Sequence, residues 1–247
     1  MTRVIIAGAT GRVGQAMMTG LAQQAGIDVV GGIGSRDADK LPRLLEQADV
    51  LVDFTTASAA PDILLSAARQ GVRPVSGTTG LPADALDTLD AELRQRGISG
   101  AWAPNFAVGA ALMMHFARIA ARFMDAAEVI EMHHDRKVDA PSGTAVSTAR
   151  LIRAARGRDL PDPPVERWAL EGSRGAVDGG VRVHSVRLPG LVAHQEVLFG
   201  AAGQVLTIRH DATGRDTYVP GVLLAIQAVR QGVGLVRGLD TIMGLEP

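Results

Sequence analysis

The stretch Val4-Ile5-Ile6-Ala7-Gly8-Ala9-Thr10-Gly11-Arg12-Val13-Gly14 decides the fold. Four apolar residues, three of them β-branched, read as a short strand, and the residues from Val13 to Ala25 carry a helical apolar period. The glycines between them make a tight turn. Strand, glycine turn and helix in direct succession are the context of a dinucleotide-binding loop, because glycine lets backbone approach a pyrophosphate and the first amides of the helix face its charge. The spacing is G-x-x-G-x-x-G, a variant of the G-x-G-x-x-G fingerprint.

Outward from this loop, short β-branched runs alternate with longer helical patterns. Val29–Ile33, Val50–Phe54, Pro74–Ser76 and Gly100–Ala103 read as further strands, with Ala60–Arg69 and Ala83–Arg96 as helices between them. That alternation predicts an α/β fold, a doubly wound parallel sheet of the Rossmann type. The second strand ends Gly34-Ser35-Arg36-Asp37, where an acid would hold a ribose hydroxyl and an arginine would meet a 2′-phosphate. Arg36 therefore leans the site toward NADPH, and Asp37 keeps NADH in play. Gly77-Thr78-Thr79-Gly80 and Ala103-Pro104-Asn105-Phe106 follow later strands, at the sheet edge where such folds bind ligands.

After Asn105 the pattern changes. An apolar helix near Gly109–Met124, a strand Glu128–His133 and a helix Thr144–Ala155 lead into a Gly/Pro-rich loop over Gly157–Gly180. Val181–Leu188, Gln195–Phe199 and Val205–Asp211 alternate apolar and polar residues, predicting antiparallel strands with one wet face. The organisation expected is a dinucleotide-binding domain over 1–106 and a second, α+β domain over 107–218, with a C-terminal helix from 219 to 247 packing back on the first.

Composition narrows the partners. Lys and Arg number 25 against 26 for Asp and Glu, so no basic field points to nucleic acid or an anionic membrane. There is no cysteine, which excludes disulfides, thiolate metal sites and a cysteine nucleophile. No apolar run approaches the ~18 residues of a spanning helix, and the N-terminal run is too short for a signal peptide, so a cytoplasmic location is expected.

The densest chemistry lies in Glu131-Met132-His133-His134-Asp135-Arg136-Lys137-Val138-Asp139-Ala140-Pro141-Ser142-Gly143-Thr144-Ala145. If the strand persists, alternation places His133 and Lys137 on one face and His134 on the other. An imidazole titrating near neutrality beside an ammonium suits proton delivery. Adjacent histidines on a strand diverge and no H-E-x-x-H occurs, so no metal site is expected. Ser142 reads as an N-cap, leaving the next amides of the helix free to bind a carboxylate with Lys137 as counter-charge.

This segment resembles, nearly position for position, the signature E-x-H-H-x-x-K-x-D-A-P-S-G-T-A of the 4-hydroxy-tetrahydrodipicolinate reductase (dihydrodipicolinate reductase) family. The resemblance extends over the whole chain, through Val52-Asp53-Phe54-Thr55 and the strands from His184 to Phe199. It implies reduction of 4-hydroxy-tetrahydrodipicolinate, through its dehydrated form, by NADPH or NADH in diaminopimelate and lysine biosynthesis, with the substrate between the two domains. It further implies that His133 handles a proton, that Lys137 donates one, and that His134, Ser142, Gly143, Thr144 and Arg215 meet the dicarboxylate substrate. Gly8, Ala9, Thr10, Gly11, Arg12, Val13, Arg36, Gly77, Thr78, Thr79, Ala103, Pro104, Asn105 and Phe106 correspond to cofactor contacts. Family members are homotetramers built on the second-domain sheet. The chain departs from the family at Ser35, where an acid is common, and in a shortened stretch over Asp37–Gln47. An NAD(P)-dependent amino-acid dehydrogenase and a nucleotide-sensing regulator are the rival readings of the same features.

Overall fold

A computed structural model describes residues 1–245. In chain order they form β1 (Thr2–Ala7), α1 (Arg12–Ala22), β2 (Ile27–Ile33), α2 (Leu41–Leu45), β3 (Val50–Asp53), α3 (Ala60–Arg69), β4 (Arg73–Ser76), α4 (Ala83–Arg96), β5 (Ser99–Trp102), α5 (Val108–Ala121), β6 (Ala126–His133), α6 (Gly143–Arg156), β7 (Ala176–Asp178), β8 (Val181–Arg187), β9 (Ala193–Ala201), β10 (Gln204–Ala212), α7 (Val219–Ala228), β11 (Gly234–Arg237) and α8 (Leu239–Ile242). Short 3-10 turns lie at Ser35–Lys40 and Arg215–Tyr218. The described chain divides into two compact units: Met1–Val108 with the segment from Arg215 onward, and Gly109–Gly214.

In the first unit the strands run parallel in the order β11-β5-β4-β3-β1-β2. Consecutive side chains Val4–Ala7 and Val50–Asp53 are all buried, as required of strands covered on both faces. Ile5, Leu51, Leu64 and Leu93 lie in one apolar cluster. The order reverses direction at β1, so the ends of β1 and β3 flank the switch point where open α/β sheets bind ligands.

The second unit is a five-stranded sheet, β10-β9-β6-β8-β7, with α5 and α6 contributing to the core on one face. Along β6, Ala127, Val129 and Glu131 point into that core, whereas Glu128, Ile130 and Met132 are half-buried on the opposite face. No helix among the described residues is long and apolar enough to cross a membrane.

Four expectations are corrected. β8 does not join an antiparallel set with β9; it pairs in parallel with β6, with Glu128 opposite Arg182 and His133 opposite Arg187. Alternation reports a half-buried strand without direction, and the long crossover through α6 permits the parallel pairing. The loop over 157–180 contains a short edge strand, β7, antiparallel to β8. The C-terminal segment expected as one helix is α7, a strand and α8, and β11 extends the parallel sheet beyond β5; the last two residues of that stretch, 246 and 247, lie outside the described residues. The turn Arg215–Tyr218, placed by sequence in the second domain, packs against α1 and belongs to the first unit.

Candidate active site

At the C-terminal edge of the parallel sheet, Gly8 sits at φ +81°, a conformation that favours glycine. A Cβ there would lie 2.4 Å from the Phe54 carbonyl oxygen, and one on Gly14 would lie 2.0 Å from that of Gly8. The turn is thus a cradle that side chains would fill. Gly8 and Ala9 both donate their amides to the Ile33 carbonyl at 2.9 Å. These two amides are therefore occupied, and the Gly11 amide donates to the Gly8 carbonyl at 2.9 Å; the Arg12 and Val13 amides, in the first helical position and the next, are among those that remain bare. Gly11, the N-cap, and Arg12 are exposed. Thr10 packs against Gly34 at the end of β2, where a Cβ would meet its hydroxyl at 2.7 Å. Beside it Arg36 is exposed, while the Asp37 carboxylate holds Lys40 at 2.6 Å.

Asp53, which was not among the sequence candidates, organises the neighbouring loops. Its carboxylate is fully buried and accepts from the Thr55 hydroxyl and amide at 2.6 and 3.0 Å, the Ser76 hydroxyl at 2.6 Å and the Thr78 hydroxyl at 2.7 Å. Trp102 donates its indole N–H to the Thr78 carbonyl at 2.9 Å. Thr78 is consequently a buried strut, whereas the exposed Thr79 keeps its hydroxyl available. A Cβ on Gly77 would strike the Phe54 ring at 2.2 Å, and Phe54 in turn meets the edge of the buried Phe106. Ala103 is buried and Pro104 exposed; Asn105 accepts from the Ala107 amide at 2.9 Å through Oδ1, leaving its carboxamide N–H free to donate. The donors and the cradle fit a dinucleotide.

In the second unit β6 ends at His133, and the Lys137 amide donates to the His134 carbonyl at 3.2 Å. The alternation expected to carry His133 and Lys137 along one strand face therefore fails, because the chain turns at His134–Lys137. Lys137 is nonetheless close enough for its charge to oppose protonation of His133. Its ammonium holds Asp139 at 2.6 Å, and that pairing keeps the Asp139 carboxyl below the usual range. His134 is half-buried, with a buried Nδ1 that has no protein partner among the described residues.

Ser142 is the N-cap of α6: its hydroxyl accepts from the Ala145 amide at 3.2 Å. The Gly143 and Thr144 amides precede the first intrahelical bond, and Gly143 is exposed. A second unanticipated residue lies beneath this turn. Glu131 is fully buried; it accepts from Arg187 through both oxygens at 2.7 and 2.8 Å, from the Ser142 amide at 3.1 Å, and it holds His133 Nδ1 at 2.6 Å. Burial pushes this carboxyl up, and Arg187, Ser185 and His133 together outweigh it, leaving the group below the ordinary range. Burial lowers His133, Glu131 works against that, and Lys137 and Arg187 add to the lowering. Arg215 is half-buried in the first unit, next to Tyr218.

Comparisons with known proteins identify the family. Residues 2–106 match the family model described as dihydrodipicolinate reductase, N-terminus, and residues 109–243 the one described as dihydrodipicolinate reductase, C-terminus. A 4-hydroxy-tetrahydrodipicolinate reductase of Moorella thermoacetica is 47% identical over 261 residues, covering 98% of this chain and 97% of that one. The same-named protein of Mycolicibacterium gilvum is 46% identical over 245 residues, covering 98% and 99%. Among solved structures, a dipicolinate-bound dihydrodipicolinate reductase from Paenisporosarcina sp. TG-14 superposes with a TM-score of 0.88 at 36% identity, covering 98% of this chain and 99% of that one. An amine dehydrogenase from Mycobacterium smegmatis shares the fold alone, at a TM-score of 0.64 and 14% identity. Two family models spanning nearly the whole chain and relatives alike over their full length lead to one assignment: the chain belongs to the dihydrodipicolinate reductase family, a family of oxidoreductases.

Proposed function

We propose that the protein reduces 4-hydroxy-tetrahydrodipicolinate, through its dehydrated dihydrodipicolinate form, to tetrahydrodipicolinate, the reductase step of diaminopimelate and lysine biosynthesis. The observation that carries this reading is the clustering of His133, Lys137 and the bare Gly143 and Thr144 amides where β6 meets α6. A cation, an anion-binding helix start and a proton carrier in one corner suit a small dicarboxylate that must gain a proton as it is reduced. The relative from Paenisporosarcina is described with dipicolinate bound, which is a flat dicarboxylate of the same size class.

A bound reduced nicotinamide supplies the hydride. The Arg12 and Val13 amides and the glycine cradle hold the pyrophosphate, and Thr79 and the Asn105 carboxamide orient the nicotinamide end. Gly77, Thr78, Ala103, Pro104 and Phe106 shape that end without donating to it. NADPH is favoured over NADH, because Arg36 is exposed at the end of β2 while Asp37 is engaged by Lys40. On the substrate side Lys137 and the Gly143 and Thr144 amides hold the carboxylates, with Ser142 fixing the turn and His134 and Arg215 as further contacts. His133, its Nδ1 held by Glu131, relays protons at Nε2, and Lys137 donates the one proton that accompanies the hydride, so that a single hydride and a single proton are added to the substrate. We assign the working form to a cytoplasmic homotetramer assembled on the second-unit sheet, whose β10 exposes Val205 and Leu206.

The test follows NADPH and NADH oxidation with freshly generated substrate. Wild type is expected to oxidise both, faster with NADPH, and to be inhibited by pyridine-2,6-dicarboxylate. His133→Gln and Lys137→Ala should each lower kcat by roughly 10²-fold or more, the usual scale of a general acid–base contribution. Absence of oxidation with either nucleotide overturns the assignment.

A further inference from the structure

We infer that Glu131 and Arg187 form a positioning pair that fixes which ring nitrogen of His133 carries its proton, leaving the other directed away from the carboxylate. This rests on the proton-handling role proposed for His133 and adds two residues that act through it.

The inference starts from a count of donors. Glu131 has no exposed surface, and four N–H groups converge on its two oxygens: Nη2 of Arg187 and the Ser142 amide on Oε1, Nη1 of Arg187 and Nδ1 of His133 on Oε2. A bidentate guanidinium keeps a buried carboxyl ionised, and an ionised carboxylate only accepts. Nδ1 of His133 must then be the donor, at 2.6 Å. The neutral ring therefore carries its hydrogen on Nδ1 and its lone pair on Nε2, and any second proton enters and leaves at Nε2.

The pairing follows from the sheet. In the parallel register of β6 and β8, His133 stands opposite Arg187 and Glu131 opposite Ser185, so the guanidinium reaches back to the carboxylate two residues along the neighbouring strand. On the antiparallel side the same two residues face Ala193 and Gln195, which are uncharged. From α6 the facing group is the Ser142 amide, and from the following turn come the Lys137 ammonium and its partner Asp139. The charges acting on His133 are thus one anion in contact and two cations, Arg187 and Lys137. Arg187 also donates to the Asp139 carbonyl at 2.8 Å, which ties the Lys137 turn to the same pair. One buried carboxylate therefore sets both the orientation of the proton carrier and the start of the helix that offers the bare amides.

Coulomb forces alone move the His133 midpoint down when the anion is removed and up when the cation is removed, so the readout that a merely structural ion pair would not give is the tautomer: a positioning pair holds the wild-type ring in one form, with its hydrogen on Nδ1. The experiment is nitrogen-15 NMR of the histidine rings in the full-length protein, with the His133 signals assigned by their loss in His133→Gln. Wild type is expected to show a single tautomer protonated on Nδ1. Glu131→Gln removes the anion, and the His133 midpoint should fall by about one pH unit; Arg187→Gln removes a cation, and the midpoint should rise by a comparable amount. The limb of the kcat profile should move with the midpoint in each variant, and Glu131→Asp should restore part of the wild-type value. Should Glu131→Gln fail to fold, the wild-type tautomer and Arg187→Gln, at a side chain about a fifth exposed (19%), still decide. Comparable amounts of both tautomers in wild type, or midpoints that shift in the same direction in both variants, overturn the inference. Full turnover by His133→Gln together with a locked wild-type tautomer would instead retire the role proposed for His133 and leave the pairing standing.

Discussion

Arg36 and Asp37 illustrate how adjacent charges divide a task. The Asp37 carboxylate already holds Lys40 at 2.6 Å, so the charge left at the end of the second strand is a guanidinium. A guanidinium on a 2′-phosphate makes charge-assisted bonds worth about 1.5–3 kcal/mol, or one to two decades in affinity. Arg36→Ala is therefore expected to raise the Kd for NADPH roughly 10- to 100-fold and to leave that for NADH nearly unchanged, as read by calorimetric titration; equal losses for both would remove Arg36 from cofactor selection. At this scale the candidate site is legible in the sequence only where its residues are contiguous. His133, Lys137 and Ser142 share one short segment, and their residue types state their chemistry. Glu131 also lies in that segment, yet its part depends on Arg187, 56 residues away, and pairing at that distance exists only once β6 and β8 are neighbours.

The loops after β3 and β4 behave as one element because a single carboxylate joins them, and the Trp102 indole of β5 ties on to the Thr78 carbonyl. Asp53→Ala would leave the hydroxyls of Ser76 and Thr78 buried without their acceptor, at about 1–3 kcal/mol for each group left unsatisfied. The expected result is a lowered Tm together with weakened nucleotide binding, because the Gly77–Thr79 loop loses its anchor. Asp53→Asn, which keeps one acceptor oxygen, should fall between wild type and Asp53→Ala in both measurements; a variant that melts early yet binds nucleotide normally would separate the network from nucleotide binding. The elements themselves were readable where the pattern has a physical cause. Strands buried on both faces must be continuously apolar, as Val4–Ala7 is, and helices such as α4 and α6 end at Gly97 and Gly157 in the left-handed conformation their C-caps require. Strand direction has no such signature: the residues of β8 alternate identically for a parallel or an antiparallel neighbour. β11 escaped because Gly234-Leu235-Val236-Arg237 has only two apolar residues, and its place in the sheet is decided by β5.

The whole molecule should be acid-labile. Asp49, Asp90, Asp139 and Asp211 are held below their ordinary value by Arg3, Arg94, Lys137 and Arg209, and Glu128 and Glu131 are held down by their cationic partners against the upward push of burial. A carboxyl lowered on folding contributes stability that is complete above its unfolded pKa, 3.8 for Asp or 4.5 for Glu, and is lost as pH falls through the folded value. His133 and His210, both lowered by burial from 6.5, act in the same direction, since the unfolded chain takes up their protons first on acidification. Tm should therefore decline gently as pH drops below about 6.5 and steeply below 4.5. Raised salt should trim the part owed to exposed pairs such as Arg3–Asp49 and spare the part owed to Glu131. A Tm that is flat or rises on acidification would show that these ion pairs do not govern stability.

The placement of β11 bears on how the chain is made. Its partner β5 is synthesised more than 130 residues earlier, and the contiguous second unit emerges between them. On the ribosome the second unit has all of its strands before the first has its last one. Until then β5 presents an open row of backbone groups to the nascent chain's surroundings, so the border of the nucleotide-binding sheet is the place where a chaperone or an unwanted neighbour would act first.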